Sequence, residues 1–96
     1  KALERANLSI NDIDIVEINE AFASQSIACL KDLGIDQKKA NLDGGALALG
    51  HPLGATGARI TGKAADLLRR ENKKYALSTQ CIGLGMGIAT VIESVN

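Results

Sequence analysis

The chain has 96 residues, 46% of them hydrophobic, and its eleven basic and eleven acidic side chains cancel to a formal charge of zero. That length allows one domain at most, or a piece of one, and the cancelled charge gives no net field to draw nucleic acid or an anionic membrane. No apolar run reaches the roughly 20 residues that cross a bilayer, there is no signal-peptide layout at the start, and two cysteines are too few for a disulfide framework, so a reducing cytoplasmic setting is expected.

With Phe22 and Tyr75 as the only aromatics, the core has to be aliphatic. The opening KALERANL reads as the end of a helix, with Asn7 able to take the left-handed position that closes it. It lacks an initiator methionine, which suggests a chain cut from something longer. Ser9 and Asp12 have the S-x-x-D spacing of a capped turn. Residues 13–18, IDIVEI, are rich in β-branched side chains and predict a strand buried on both faces, as in a parallel sheet. A helix is expected over 20–33, with Asn19 as N-cap and Glu20 in the first turn, where the helix dipole favours negative charge. Its inward band would be Phe22, Ala23, Ser26, Ile27, Cys29, Leu30 and Leu33. Gly34 would close it, with Ile35 packing back on Leu30.

The segment from Gly44 to Ile60 holds the only histidine, the only proline and five of the ten glycines. A second helix is predicted over 55–71. Its small residues Gly54, Ala58, Gly62 and Ala65 recur at helical spacing. A glycine inside a helix costs about 1 kcal/mol against alanine, so this helix is expected to lie wedged between two layers. Two strands follow, YALSTQCI and GIATVIES, joined through GLGM. Strands and helices in this order give an α/β class. The pairs Lys38-Lys39 and Lys73-Lys74 lie beside helix ends and read as solvated charges.

Three constellations invite chemistry. Gly57 to Lys63 matches the start of a phosphate-binding P-loop, but Ala64 stands where Ser or Thr would hold magnesium, and the segment is helical in pattern. His51, Cys81 and Cys29 lack the spacing of a metal site. Asn19, His51 and Cys81 each sit at a junction between elements, where α/β folds bind ligands. Each also has a plain alternative, as cap, turn residue and small buried hydrophobe respectively. Spacing alone supports a His/Cys site of unspecified chemistry.

EINEAFA (17–23), NLDGGALALGHPLGATGARI (41–60) and CIGLGMGIATVIE (81–93) resemble, in order and spacing, the three motif blocks of the C-terminal domain of thiolases, the acetyl-CoA acetyltransferases and 3-ketoacyl-CoA thiolases. The resemblance covers nearly the whole chain. It implies a layered α/β/α/β/α subunit of two similar halves, with a mixed sheet flanked by helices. This chain would supply most of the second half, and the half carrying the nucleophilic cysteine would be missing. Cys29 is then core.

By the same resemblance His51 is the general base toward the missing cysteine, whose thiol, with a pKa near about 8.5, needs a base at neutral pH. Asn19 would hold a water that completes the first oxyanion site. Cys81 would be the second acid/base, taking a proton from the methyl group of acetyl-CoA or returning one to the departing enolate. The Gly83 N–H would donate into a second oxyanion site, and Phe22 would wall the pantetheine arm or belong to the core. Leu84 departs from the pattern where many members carry glycine, and is expected to be tolerated. Coenzyme A thioesters are substrates on this reading, with no further cofactor, and the whole enzyme would be a homodimer or homotetramer. A catalytically inactive coenzyme A-binding or assembly domain is the alternative. A ketoacyl-synthase relative fits less well, since those enzymes typically use two histidines and only one is present.

Overall fold

The computed structural model describes residues 1–95 and contains three strands between two helical layers. Helix α1 (Ala2–Ala6) ends at Asn7, which takes the left-handed conformation at φ 55°, as expected. Ser9 and Asp12 form the predicted capping box around a 3₁₀ turn. Strand β1 (Ile15–Ile18) is buried along its whole length. It starts two residues later than predicted, and just before it the Asp14 carboxylate accepts the backbone N–H groups of Lys74 and Tyr75.

Strand β2 (Tyr75–Gly83) runs parallel to β1, with Ile15 opposite Ala76 and Ile18 opposite Thr79. Strand β3 (Met86–Glu93) returns antiparallel to β2, giving the mixed order β1-β2-β3. Only a parallel neighbour and covering on both faces make four consecutive buried residues economical.

Helix α2 (Ala23–Leu33) covers one face, where Ile13, Val16, Ile18, Leu30 and Leu77 form a core. It closes as predicted: Gly34 lies at φ 67°, and the Ile35 N–H bonds the Leu30 carbonyl at 2.9 Å. Its start and its inward band differ from expectation. Phe22, not Asn19, is the N-cap, and only Ser26 and Leu30 are buried. Cys29 packs partly against the core, whereas Phe22, Ala23, Ile27 and Leu33 are exposed. The reason lies before the helix: the Asn19 N–H still follows the sheet, donating to the Thr79 carbonyl at 2.9 Å, so the turn into the helix comes later.

A short helix α3 (Ala46–Leu49), not foreseen, sits within the glycine-rich segment. Helix α4 (Thr56–Arg70) then covers the second face. Its Ala64, Leu67 and Leu68 meet Ile15 and Ala76 in a second core cluster. Larger residues face the sheet; Gly54, Ala58, Gly62 and Ala65 are exposed. The expected wedge between two layers therefore has only one of its layers within this chain. Both thiols are free, and no helix among the described residues is long and apolar enough to cross a membrane.

Candidate active site

The site forms where β1 stops and β2 continues. Beyond the Ile18–Thr79 pair the sheet is reduced to the two-stranded ribbon of β2 and β3. Asn19 keeps its place beside β2 through its N–H bond to the Thr79 carbonyl, and His51 meets the Asn19 side chain.

The segment that carries His51 is anchored by side chains acting as backbone. Asn41 lies beyond the outer edge of β1, at φ 51°. Its side-chain oxygen accepts the Ile18 N–H, and its side-chain nitrogen donates to the Ile18 carbonyl, both at 2.9 Å. Glu20 accepts the Leu47 N–H at 3.2 Å, holding the start of α3. Gly45 makes this possible: a Cβ there would collide with the Glu20 carboxylate and the Asn41 amide. Gly50 then takes φ 95° and ψ 164°, a region almost closed to other residues, and so turns the chain to present His51. Close approach at Gly45 and backbone direction at Gly50 thus account for two of the glycines around the imidazole.

His51 lies between two partners. Its Nδ1 is 2.6 Å from Thr56 Oγ1, and its Nε2 is 3.5 Å from Asn19 Nδ2. Asn19 and Thr56 are both fully buried. With the Asn19 amide donating, Nε2 carries the lone pair and the proton sits on Nδ1, donated to the threonine oxygen. That tautomer is the one a base acting through Nε2 requires. Thr56 opens α4, so the positive end of the helix dipole lies at the same place.

Cys81 is two residues beyond Thr79 on β2, exposed, and outside this contact group. Strand alternation puts it with Leu77 and Thr79 on the α2 face. There it lines a depression of about 250 Å³ with Ile18, Gln25, Cys29 and Met86. His51 is held from the α4 side, by Asn19 and Thr56, so the two side chains belong to separate groups of contacts on the two faces of β2. Gly83 follows a bulge after Cys81, at φ 94°. Phe22 is 71% exposed at the start of α2.

Thr56, Asn41 and Glu17 were not anticipated. Thr56 had one signal, a hydroxyl at a helix start five residues after the histidine. Glu17 had none, since a carboxylate within a run of β-branched residues gives no sign of its surroundings. It is 1% exposed, and burial raises its pKa from 4.5 to about 7, against the opposing pull of the Arg59 and Lys63 charges.

The family model of the thiolase C-terminal domain matches residues 1–94. The chain is 58% identical over 96 residues to the 3-ketoacyl-CoA thiolase of Vibrio vulnificus (strain YJ016), covering 97% of this chain and 25% of that protein. It is 56% identical over 98 residues to the 3-ketoacyl-CoA thiolase of Aeromonas salmonicida, again covering 25% of the relative. The chain therefore spans about a quarter of the length of these relatives. Human mitochondrial 3-ketoacyl-CoA thiolase superposes with a TM-score of 0.95 at 51% identity, over 98% of this chain and 24% of that one. Its complex with CoA superposes at 0.96 and 52%, over 99% of this chain and 24% of that one. With motif order, sheet topology and the match over residues 1–94 in agreement, the chain belongs to the thiolase family, in its C-terminal domain.

Proposed function

We propose that these residues are the C-terminal catalytic segment of an acyltransferase that runs reversible Claisen condensation and thiolysis of acyl-CoA thioesters. The nucleophilic cysteine comes from polypeptide outside the 96 residues. The observation that carries the reading is the line Asn19–His51–Thr56 at the start of α4. It holds the imidazole by Nδ1 at the start of α4, with Nε2 facing the Asn19 amide.

In this reading His51 Nε2 takes the proton of the nucleophilic cysteine, the thiolate attacks the thioester carbonyl, and the bond to the CoA sulfur breaks as the imidazolium returns that proton to the leaving thiolate. The Asn19 amide, beside Nε2, holds a water against the developing oxyanion. In condensation, Cys81 accepts a proton from the α-carbon of the second acetyl-CoA, and the enolate oxygen is stabilised from the Gly83 N–H. An oxyanion donor of this kind lowers a barrier by about 3–4 kcal/mol. Phe22, exposed at the start of α2, flanks the pantetheine arm. A cytoplasmic setting and a homodimeric or homotetrameric assembly complete the proposal. The exposed apolar side chains Leu53, Ile82, Leu84, Met86 and Ile88 near the site support a partner surface there.

His51→Ala and Cys81→Ala in the full chain test the assignment, read by thiolysis of acetoacetyl-CoA. Each is expected to lower kcat by at least about a hundredfold. Near-parental turnover in either variant removes that residue from its role. Turnover unchanged in both, with CoA binding retained, favours an assembly or binding domain instead.

A further inference from the structure

Behind Asn19 lies a group of polar atoms that the proposed chemistry does not use. Both carboxylate oxygens of Glu17 are buried without a hydrogen-bond partner among the described residues. So are Asn19 Oδ1 and two guanidinium nitrogens of Arg59, Nε and the second terminal nitrogen. Glu17 and Asn19 are two apart at the end of β1, so both side chains leave the sheet on the face that α4 covers. Arg59 comes from the first turn of α4, and its charge acts on Glu17. Ser78, opposite Glu17 in the sheet, and Thr61, bonded to it at 3.3 Å, extend the polar lining.

Five unpaired buried polar atoms carried by three neighbouring residues cannot be the final state of a stable fold. An unmet group of this kind costs about 1–3 kcal/mol, and native proteins leave few of them. Donors and acceptors are both present, on Arg59 and on Glu17 with Asn19, yet no direct bond joins them. Buried donors and acceptors that face one region without bonding each other suit a water with two to four partners.

We infer that Glu17, Arg59 and Asn19 form a buried water-binding seat, and that Glu17 is a positioning residue acting through it on the Asn19–His51 pair. The Asn19 amide can point its nitrogen at His51 only if its oxygen is satisfied inward. A water donating to Asn19 Oδ1, and held by the Glu17 carboxylate and the Arg59 guanidinium, supplies that bond. Reversing the amide would aim its oxygen at Nε2, where two acceptors repel and the histidine loses its tautomer.

The positioning role rests on the thiolase reading; the seat does not, and two measurements separate them. A high-resolution crystal structure of the full chain is expected to show an ordered water within about 3 Å of Glu17 and of Arg59 or Asn19. A dry contact there, or a protein group filling the space, overturns the seat. For the role, thiolysis is compared in Glu17→Leu, Glu17→Gln and the Asn19→Ala background. Glu17→Leu is expected to lower kcat about tenfold with KM for CoA nearly unchanged, Gln to recover most of the loss, and the Leu effect to shrink below about twofold once Asn19 is alanine. Additive losses in the double variant, or a Gln variant as impaired as Leu, overturn the role. A parent chain without thiolysis activity overturns the thiolase reading, leaving the crystallographic test of the seat intact.

Discussion

Glu17 shows how one side chain can link stability to pH. In the unfolded chain its carboxyl ionises near its ordinary value of 4.5; in the folded chain burial holds it neutral up to about 7, against Arg59 and Lys63, with Asp43 and Glu20 adding to the rise. Below about 4.5 both states carry the proton and Glu17 adds no slope. Between these values the unfolded state releases its proton first, so stability falls as pH rises, and above about 7 the loss is complete. For a shift of this size the loss amounts to about 3 kcal/mol. Denaturant unfolding of the full chain at pH 5 and pH 8 is expected to show this decline in the parent. In Glu17→Gln, which cannot ionise, the decline should be largely absent. A decline of equal size in both would place its source elsewhere.

Elements whose signals are local were legible from the residues alone. The left-handed end at Asn7, the Ser9–Asp12 box, the closure at Gly34 and the helix after His51 each depend on a few neighbours in sequence, and each is found. The start of α2 was misjudged because its cause is remote: Asn19 is held by Thr79, sixty residues away, and by His51. Likewise the pairing of His51 with Thr56 and the clamp of Asn41 on Ile18 need coordinates, since spacing cannot show which side chains meet. The hairpin between β2 and β3 adds a detail of the same kind. Leu84 and Gly85 both have positive φ, 52° and 73°, the backbone of a type I′ turn. Leucine there is strained by about 1–2 kcal/mol, while glycine gives back roughly 0.5–1 kcal/mol through its flexible unfolded state. Leu84→Gly is therefore expected to stabilise the hairpin by about 0.5–1 kcal/mol, measurable by amide exchange across β2 and β3. Leu84 is 98% exposed within the chain, so it gives up little packing there. Faster exchange in the variant would mean that its side chain has a partner outside these residues.

At the scale of the molecule, α4 carries the question of what lies on its open side. Its sheet face is built of large side chains, and the opposite face is a line of small ones that nothing in this chain covers. A glycine in mid-helix with free space around it is a cost without a return: a Cβ on Gly62 would meet nothing within 4 Å. Within these 96 residues alone, Gly62→Ala is expected to stabilise α4 by about 1 kcal/mol through propensity. In the full chain the proposed half that carries the nucleophilic cysteine would approach that face closely, and the added methyl would meet backbone or side chain. There the same substitution is expected to destabilise by about 1–3 kcal/mol, as overpacking does. Thermal unfolding of both forms reads the two signs. Opposite signs locate the missing layer on α4, next to the Thr56 end that holds His51, and so put that layer within reach of the imidazole. Stabilisation in both would leave this face open in the full chain, and the nucleophile would then have to approach the imidazole from another direction.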